Sequence, residues 1–218
     1  MSGEVRRIGH MLETTAVAFT TFFVTLGPIE AAVMFAALTN NRSTQHRRSM
    51  AIRATLIATG ILLTFALLGD SLLNLLGISL AALKTAGGIL LLLIGIDMVF
   101  ARNSGGTTTT DAETQEAEHK QDISVFPLAT PLIAGPGAMG AVILLMANAQ
   151  GDLTTQLVVI ASLIAVLLIT LLSLYGATYL QRLLGVSGHH VMSRIFGVLL
   201  CALAVQFVFD GIGQSGLL

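Results

Sequence analysis

The stretch TLGPIE at residues 25–30 interrupts an apolar run, about 14–39, that is long enough to cross a lipid bilayer. A related stretch, IAGPGA at residues 133–138, interrupts a second apolar run, about 123–147. Proline removes a backbone donor and glycine lets the chain leave helical geometry, so each Gly-Pro pair predicts a helix that is broken at mid-membrane. Hydrocarbon cannot satisfy the exposed peptide groups, and paired breaks of this kind are typical of the binding site of a secondary transporter.

The composition is that of a membrane protein. The chain has 218 residues, of which 54% are hydrophobic and 11% charged, and its mean hydropathy is +0.85. A soluble domain carries about 25% charged residues. The net charge of −1 says nothing about partners, no basic tract suggests nucleic acid, and the single cysteine excludes an intramolecular disulfide. The first apolar run is too long for a signal-peptide core, so we expect it to be the first membrane helix.

Six helices are predicted, at about 14–39, 54–76, 80–100, 123–147, 154–180 and 193–213. A polar loop at 40–53 is expected after the first helix, and Ser79 is the predicted N-cap of the third. A loop that holds Arg182, His189 and His190 is expected before the sixth helix, and these adjacent histidines lack the other ligands that a metal site requires.

The two halves of the chain repeat each other. Gly27-Pro28 and Gly135-Pro136 are separated by 108 residues, and the same 108 residues separate LLGIS at 75–79 from LLGVS at 183–187. Each unit holds three helices, and an odd number makes the second unit enter the membrane from the opposite side. The predicted fold is therefore an all-α polytopic membrane protein with six transmembrane helices. It consists of two inverted three-helix repeats, 1–101 and 123–218, joined by a flexible linker at 102–122, and helices 1 and 4 are broken.

Basic residues predict the orientation. Eight of the 11 Lys and Arg residues lie in the loops after helices one, three and five. They are Arg42, Arg47, Arg48, Arg53, Arg102, Lys120, Arg182 and Arg194. The positive-inside rule places these loops in the cytoplasm and both termini on the outer side.

Several short motifs, in this order, resemble the MarC family of bacterial membrane proteins over nearly the whole chain. The motifs are GP at 27–28, GIS at 77–79, IDM at 96–98, FPLATP at 126–131, AGPG at 134–137, SRIFG at 193–197, AVQF at 204–207 and DGI at 210–212. The resemblance implies a multi-pass inner-membrane protein that is distantly similar to the lysine-exporter superfamily. It also implies transport of small neutral amino acids such as glycine and alanine, as in the family members named SnatA, by symport with a cation. Gly27 and Glu30 depart from the family pattern. The family has Asn or Asp at the position of Gly27, just before the first break proline, and more often a small or neutral residue at the position of Glu30.

The candidate substrate-binding residues lie at the two breaks. They are Thr25, Gly27, Pro28, Glu30, Thr130, Gly135, Pro136, Gly137, Ala138 and Met139. The free N–H groups of 137–139 form a positive helix end that suits a carboxylate, and the substrate ammonium would point toward Glu30 or backbone carbonyls. Glu30 itself is either a carboxylate that caps the second half-helix or a proton carrier.

Three further groups of residues carry predictions. Gln206 is four residues before Asp210 on one helix face, so Gln206 is a second candidate for the cavity and for coupling. Asp70 and Lys84 are expected to form a structural ion pair between helices two and three, or else an outer gate charge. The glycines at 87–88, 95 and 197 predict close helix contacts.

We therefore predict a cation-coupled transporter of small neutral amino acids that works by alternating access, with a proton or sodium as coupling ion and no cofactor or metal. The lipid bilayer is the other expected partner. A passive channel or exporter of another small solute, a regulatory membrane protein, and kinked helices without a ligand remain as alternatives. An intramembrane enzyme is disfavoured because Glu30 is the one acid deep within a break.

Overall fold

A computed structural model describes residues 2–39, 42–101, 122–149 and 151–216. These residues form seven α-helices and one proline-rich helical segment. In chain order they are α1 Ser2–Leu26, α2 Pro28–Leu38, α3 Thr44–Leu75, α4 Leu80–Phe100, the proline segment Ser124–Ile133, α5 Pro136–Asn148, α6 Leu153–Tyr175 and α7 Ala177–Gln214. The described residues contain no strand, which confirms the all-α class.

The helices are long and apolar enough for a multi-pass membrane protein. Five candidate spans are Met11–Leu38, Thr44–Gly69, Leu80–Phe100, Leu153–Tyr175 and Val191–Gln214. The proline segment and α5 together make a sixth span if this bent pair crosses the membrane as one unit. The predicted number of six is therefore the upper count.

The first break is one residue wide. Gly27 adopts a left-handed conformation, with φ 52° and ψ 60°, and Pro28 is the first residue of α2. The amide of Ala31 donates to the carbonyl of Gly27 at 2.8 Å, so helical hydrogen bonding resumes at once. Glycine reaches this conformation without the steric cost that a side chain would add. The Gly-Pro pair thus interrupts the helix as predicted, within a single span.

The second break is larger, because the proline segment is not an α-helix. The amides of Leu128 and Ala134 donate to carbonyls five residues back, at 3.1 and 2.8 Å, which gives wide turns. Phe126 and Thr130 are extended, and each precedes a cis proline. Gly135 is extended as well, and the proline segment and α5 meet at an angle of 53°. The predicted break is confirmed, but the prediction of an α-helix from about residue 123 up to the break was wrong.

Two predicted loops are helical instead. Helix α3 begins at Thr44, within the expected 40–53 loop, because Ser43 accepts a hydrogen bond from the amide of His46 at 3.3 Å and caps it. Helix α7 begins at Ala177, after a turn at Gly176, and so covers the expected loop with Arg182, His189 and His190. The side chains of those three residues lie outside the described part of the structure. Hydropathy marks where a helix leaves the membrane, and a helix that contains polar residues can continue beyond that point.

Helices of one half pack mainly against helices of the other. Among the described residues, α4 and α7 form the most extensive pair. Helices α1 and α2 pack against α6, and α3 packs against the proline segment and α5. Contacts between helices of the same half are few in comparison. One buried core therefore runs through both halves.

Glycines form the contact between α4 and α7. A Cβ on Gly88 would lie 2.7 Å from the carbonyl oxygen of Ala204. A Cβ on Gly95 would lie 3.0 Å from the Gly197 carbonyl oxygen, and one on Gly197 would lie 2.9 Å from that of Gly95. The backbones of α4 and α7 thus approach more closely than any side chain would allow, which confirms the predicted contacts at these three positions. Gly87 faces α5 instead.

Most of the predicted linker, 102–121, lies outside the described residues. Its last residue, Asp122, accepts hydrogen bonds from the hydroxyl of Ser124 and from the Ser124 amide, the latter at 2.9 Å. Arg53 of α3 also pairs with Asp122 at 3.3 Å. The Ser124 hydroxyl, followed by the amide and Arg53, holds the pKa of the Asp122 carboxyl below its usual value. Asp122 therefore fixes the start of the proline segment to α3.

Candidate functional site

Glu30 lies over the first break. It is half-buried in the first turn of α2, and its side chain folds back so that Oε2 would be 2.9 Å from a Cβ on Gly27. The helix dipole favours a carboxylate at this end of α2. The position fits the capping role, one of the two predicted for Glu30. The proton-carrier role stays a prediction.

Two threonine hydroxyls lie just before this break on α1. Thr25 is buried and donates to the carbonyl of Thr21 at 2.8 Å, so its proton is bonded within the helix. The Thr21 side chain is fully buried, and its hydroxyl has no hydrogen-bond partner among the described atoms. An unmatched buried hydroxyl costs about 1–3 kcal/mol. Thr21 was not predicted because, unlike Thr25, it lies six residues before Gly27 in the sequence, and it provides a buried polar group on the part of α1 that precedes the break.

The second break presents a helix end without an acid. Gly135 is the N-cap of α5 and provides no side-chain acceptor, and Pro136 is the first helical residue. Gly137 and Ala138 are buried, Met139 is half-buried, and the first turn of α5 contains no acidic residue. The amide of Met139, which was predicted to be free, instead donates to the Gly135 carbonyl at 3.0 Å. The amides of Gly137 and Ala138 precede this first intrahelical bond, so this buried end is positive.

Thr130 is the remaining candidate at the second break. It is half-buried in the proline segment, and its backbone is extended, with φ −136° and ψ 124°. It belongs to the segment before the break, as Thr25 does in the first half.

The two broken spans contact each other. Helix α1 packs against α5, and α2 packs against the proline segment. The common buried core includes Leu26 and Ala31 from the first break and Ile133 and Ala138 from the second. The structure thus brings together the two elements that the sequence predicts to share a site.

Gln206 lines a cavity, but at the end of the helices. Its amide Nε2 donates to Oδ1 of Asp210 at 2.8 Å, so the two residues share a face as predicted. The cavity has a volume of about 440 Å³, and Glu13, Thr14 and Asn148 also contribute to its wall. It contains two carboxylates and no Lys or Arg among its described lining residues, and none of the break residues lines it. We call it the acidic cavity.

A groove between α1 and α7 continues from the acidic cavity. It measures about 450 Å³ and shares Val17, Leu203 and Gln206 with that cavity. Thr20 lines its far part, next to the buried Thr21. The groove therefore leads from the carboxylates toward the part of α1 that precedes Gly27. Glu13 and Thr14 were not predicted because nothing in the sequence shows that the start of α1 faces the end of α7.

Lys84 has a described hydrogen-bond partner on α7. Its side chain is 2% exposed, and Nζ donates to Oε1 of Gln214 in α7 at 3.0 Å. The side chain of Asp70, the predicted ion-pair partner, lies outside the described part of the structure. The Asp70–Lys84 pair stays a prediction, and what the structure describes is a contact between α4 and α7.

A basic pocket lies at the opposite end of α6. Thr155, near the start of α6, lines the acidic cavity, whereas Tyr175, its last residue, lines a pocket that also contains Arg47 and Arg48. Twenty residues of α-helix span about 30 Å, which is the thickness of the hydrocarbon core. Carboxylates therefore line the cavity at one end of α6, and guanidinium groups line the pocket at its other end.

The chain matches the description "MarC family integral membrane protein" over residues 12–215. A UPF0056 membrane protein of Archaeoglobus fulgidus is 40% identical over 91% of this chain and 92% of its own length. A UPF0056 membrane protein of Methanocaldococcus jannaschii is 38% identical over 92% and 97%, and UPF0056 membrane protein YvbG of Bacillus subtilis is 30% identical over 91% and 93%.

These relatives come from archaea as well as bacteria. No solved structure matches the chain. The match over 12–215 includes both breaks and the helical segments that flank them, with α1 from residue 12 onward. The resemblance noted in the sequence is thereby confirmed, and the chain belongs to the MarC family of integral membrane proteins.

Proposed function

We propose that this protein is a secondary transporter of small neutral amino acids, of the size of glycine or alanine, coupled to a cation. One observation carries the proposal: two interrupted spans contact each other within the buried core. Interrupted spans place unpaired peptide groups inside the membrane, where protein, water or a ligand has to satisfy them. Transporters of many folds bind their substrates at such points.

The packing supports an inverted repeat of 1–101 and 123–218. In such a repeat, α1, α2 and α3 correspond to the proline segment, α5 and α6. The contacts of α1 and α2 with α6 are then equivalent to those of the proline segment and α5 with α3, and both sets occur. The same correspondence turns the contact between α1 and α5 into that between the proline segment and α2, which also occurs. The pair α4–α7 maps onto itself. An internal two-fold axis in the membrane plane accounts for this pattern, and it allows alternating access by one half rocking against the other.

The charges at the two breaks suit a zwitterion. The amides of Gly137 and Ala138 at the positive end of α5 would bind the substrate carboxylate. Glu30, at the other break, would attract the ammonium group, and the Thr21 hydroxyl would supply a further hydrogen bond. Small residues around Gly137 limit the substrate to a short side chain.

The acidic cavity supports coupling to a cation. Its carboxylates, Glu13 and Asp210, raise the local concentration of cations, and Gln206 holds Asp210 in place. A proton or sodium ion would enter there and reach α1 through the groove that ends near Thr20. Glu30 would be the coupling carboxylate.

We further propose that the basic end of the bundle is cytoplasmic and that the protein lies in the inner membrane with both termini outside. The positive-inside rule supports this orientation. The chain has one native cysteine, so Cys201→Ser gives a background for single-cysteine variants. Ser215→Cys should react with a membrane-impermeant thiol reagent in intact cells, and Ser43→Cys only after the membrane is opened. The reverse labelling would invert the proposed orientation.

The transport proposal is tested with purified protein in liposomes. Radiolabelled glycine or alanine should accumulate against its gradient when a proton or sodium gradient is imposed, and not without one. Gly137→Leu should abolish accumulation, because the new side chain fills the region next to the α5 amides. Gly60→Leu is the control, since Gly60 is exposed on α3 and a Cβ there would meet no atom within 4 Å.

Three results would overturn the proposal. Equilibration without accumulation would indicate a passive channel. If neither glycine nor alanine crosses the membrane in liposomes that contain folded, inserted protein, the result would favour another solute or a regulatory role. Equal accumulation by Gly137→Leu and Gly60→Leu would remove the second break from the substrate site.

A further inference from the structure

The basic pocket is built from the ends of four elements. Its volume is about 260 Å³, and Thr44, Arg47 and Arg48 of α3 contribute to it, with Phe35 of α2. The end of α6 and the start of α7 complete it with Leu174, Tyr175 and Thr178. Two guanidinium groups and three hydroxyl groups line this pocket, and no carboxylate does so among the described residues.

Both arginines are held in place by neutral partners. Arg47 donates to the hydroxyl of Thr178 at 2.8 Å and lies over the ring of Phe35, 5.5 Å from its centroid. Arg48 lies over the ring of Tyr175 at 5.7 Å. These contacts orient the guanidinium groups without neutralising them. The pocket therefore keeps two positive charges at fixed positions.

The start of α3 adds to this charge. Ser43 caps the helix, and Thr44, its first residue, lines the pocket. The positive end of a 32-residue helix thus points to the same space as the two arginines. A helix N-terminus together with guanidinium groups and hydroxyls is the chemistry that binds phosphate.

The aromatic residues indicate the depth of the pocket in the membrane. The chain has no Trp and only two Tyr, Tyr175 and Tyr179, and both lie at the turn between α6 and α7. Tyr175 is 44% exposed and Tyr179 is 69% exposed. Tyrosine is enriched where the bilayer meets water, at the level of the headgroups. The apolar spans that contain α2 and α6 also end here, at Leu38 and Tyr175.

We propose that the basic pocket binds the phosphate group of an anionic phospholipid. The headgroup phosphate would lie between Arg47 and Arg48, near Thr44 and Thr178, and the acyl chains would run along the exposed apolar surface below Tyr175. Basic pockets between membrane helices bind anionic headgroups in this way. The volume suits a phosphate with part of its glycerol, and it is smaller than the 300–1,000 Å³ or so of sites for drug-sized ligands. This inference is independent of the transport proposal, because it rests on the other end of α6.

The test is native mass spectrometry of the purified full-length protein with added lipid. Phosphatidylglycerol should bind at one site at least about tenfold more tightly than phosphatidylcholine, since only the former has a net negative charge. Arg47→Gln and Arg48→Gln should each reduce phosphatidylglycerol binding about tenfold. Arg194→Gln is the matched control, because it removes one positive charge at an exposed position outside the pocket and should change binding less than twofold.

Two further arms separate the sources of phosphate and guard against misfolding. Inorganic phosphate in equal amount should not displace phosphatidylglycerol, because it lacks the acyl chains. Arg48→Gln removes only the contact with the exposed ring of Tyr175, so its unfolding temperature should equal that of the unmodified protein. Equal binding of both lipids, displacement by inorganic phosphate, or equal losses in Arg48→Gln and Arg194→Gln would each overturn the proposal.

Discussion

The close approach of α4 and α7 makes a quantitative prediction for Gly88→Ala. A Cβ at this position would lie 2.7 Å from the Ala204 carbonyl oxygen and 2.9 Å from the Val208 amide nitrogen. Both are backbone atoms, so no change of rotamer relieves the overlap and the two helices have to separate. Overpacking of this kind costs about 1–3 kcal/mol. Replacing a helical glycine by alanine returns about 1 kcal/mol, which leaves a net loss of up to about 2 kcal/mol.

Gly60→Ala is the matched control for Gly88→Ala. Gly60 also lies within a long helix, but a Cβ there would meet no atom within 4 Å. This variant should therefore gain up to about 1 kcal/mol from helix propensity alone. The two variants should differ by about 1–3 kcal/mol, with opposite signs relative to the unmodified protein.

The half-buried Cys201 provides the assay. It is the only cysteine of the chain and lies on α7 near the contact with α4, so a thiol-reactive dye reports unfolding there. Each 1 kcal/mol shifts the unfolding temperature by about 2–4 °C for a chain of this length. Gly88→Ala should unfold several degrees below Gly60→Ala. Equal temperatures, or a higher one for Gly88→Ala, would refute the argument that backbone contact holds the two helices together.

Three other predictions are measured as changes in the unfolding temperature. Gly27→Ala should lower the stability of the fold by about 1–2 kcal/mol because φ is 52°, and the loss should be the same in a Glu30→Ala background. Gly27→Asn should lose less stability, since Asn tolerates this conformation. Equal losses for Ala and Asn would refute the left-handed geometry. Asp122→Asn should lower the unfolding temperature at neutral pH. The pKa of Asp122 is lowered in the folded state, so the charged carboxylate stabilises the fold. The difference between the two proteins should therefore shrink as the pH falls below the usual carboxyl pKa, and a constant difference would contradict this. Lys84→Met should lower the unfolding temperature less than Gln214→Leu, because Gln214→Leu leaves the buried Lys84 ammonium without its amide partner. A larger decrease for Lys84→Met would show that the amide is dispensable.

The sequence was sufficient to predict the helical class, the two breaks and the glycine contacts, because each depends on local chemistry. Gly27-Pro28 and Gly135-Pro136 disrupt helices whatever surrounds them. The wide turns of the proline segment were not predicted, since Pro127 and Pro131 indicate an interrupted helix without showing which backbone conformation replaces it. The starts of α3 and α7 were missed for another reason. Hydropathy reports where the lipid ends, and a helix rich in polar residues continues past that level.

The site was predicted only in part, because its polar groups come from distant parts of the chain. Gln206 and Asp210 are four residues apart, so their hydrogen bond followed from helical spacing. Glu13 joins the same cavity only because α1 lies against α7, and this pairing has no local signal. Lys84 shows another limit: its hydrogen bond to Gln214, 130 residues away, has no local signal, and the predicted pair with Asp70 stays a prediction.

The mutual packing of the two halves has a consequence for biosynthesis. Helices α1 to α4 leave the ribosome first, yet most of the surfaces that they bury are covered by α5, α6 and α7. The early helices therefore lie in the bilayer with their backbone hydrogen bonds made within each helix until the later helices are inserted. A chain that stops before residue 123 lacks the helices that cover these surfaces, so we expect its four helices to remain in the bilayer without a common core.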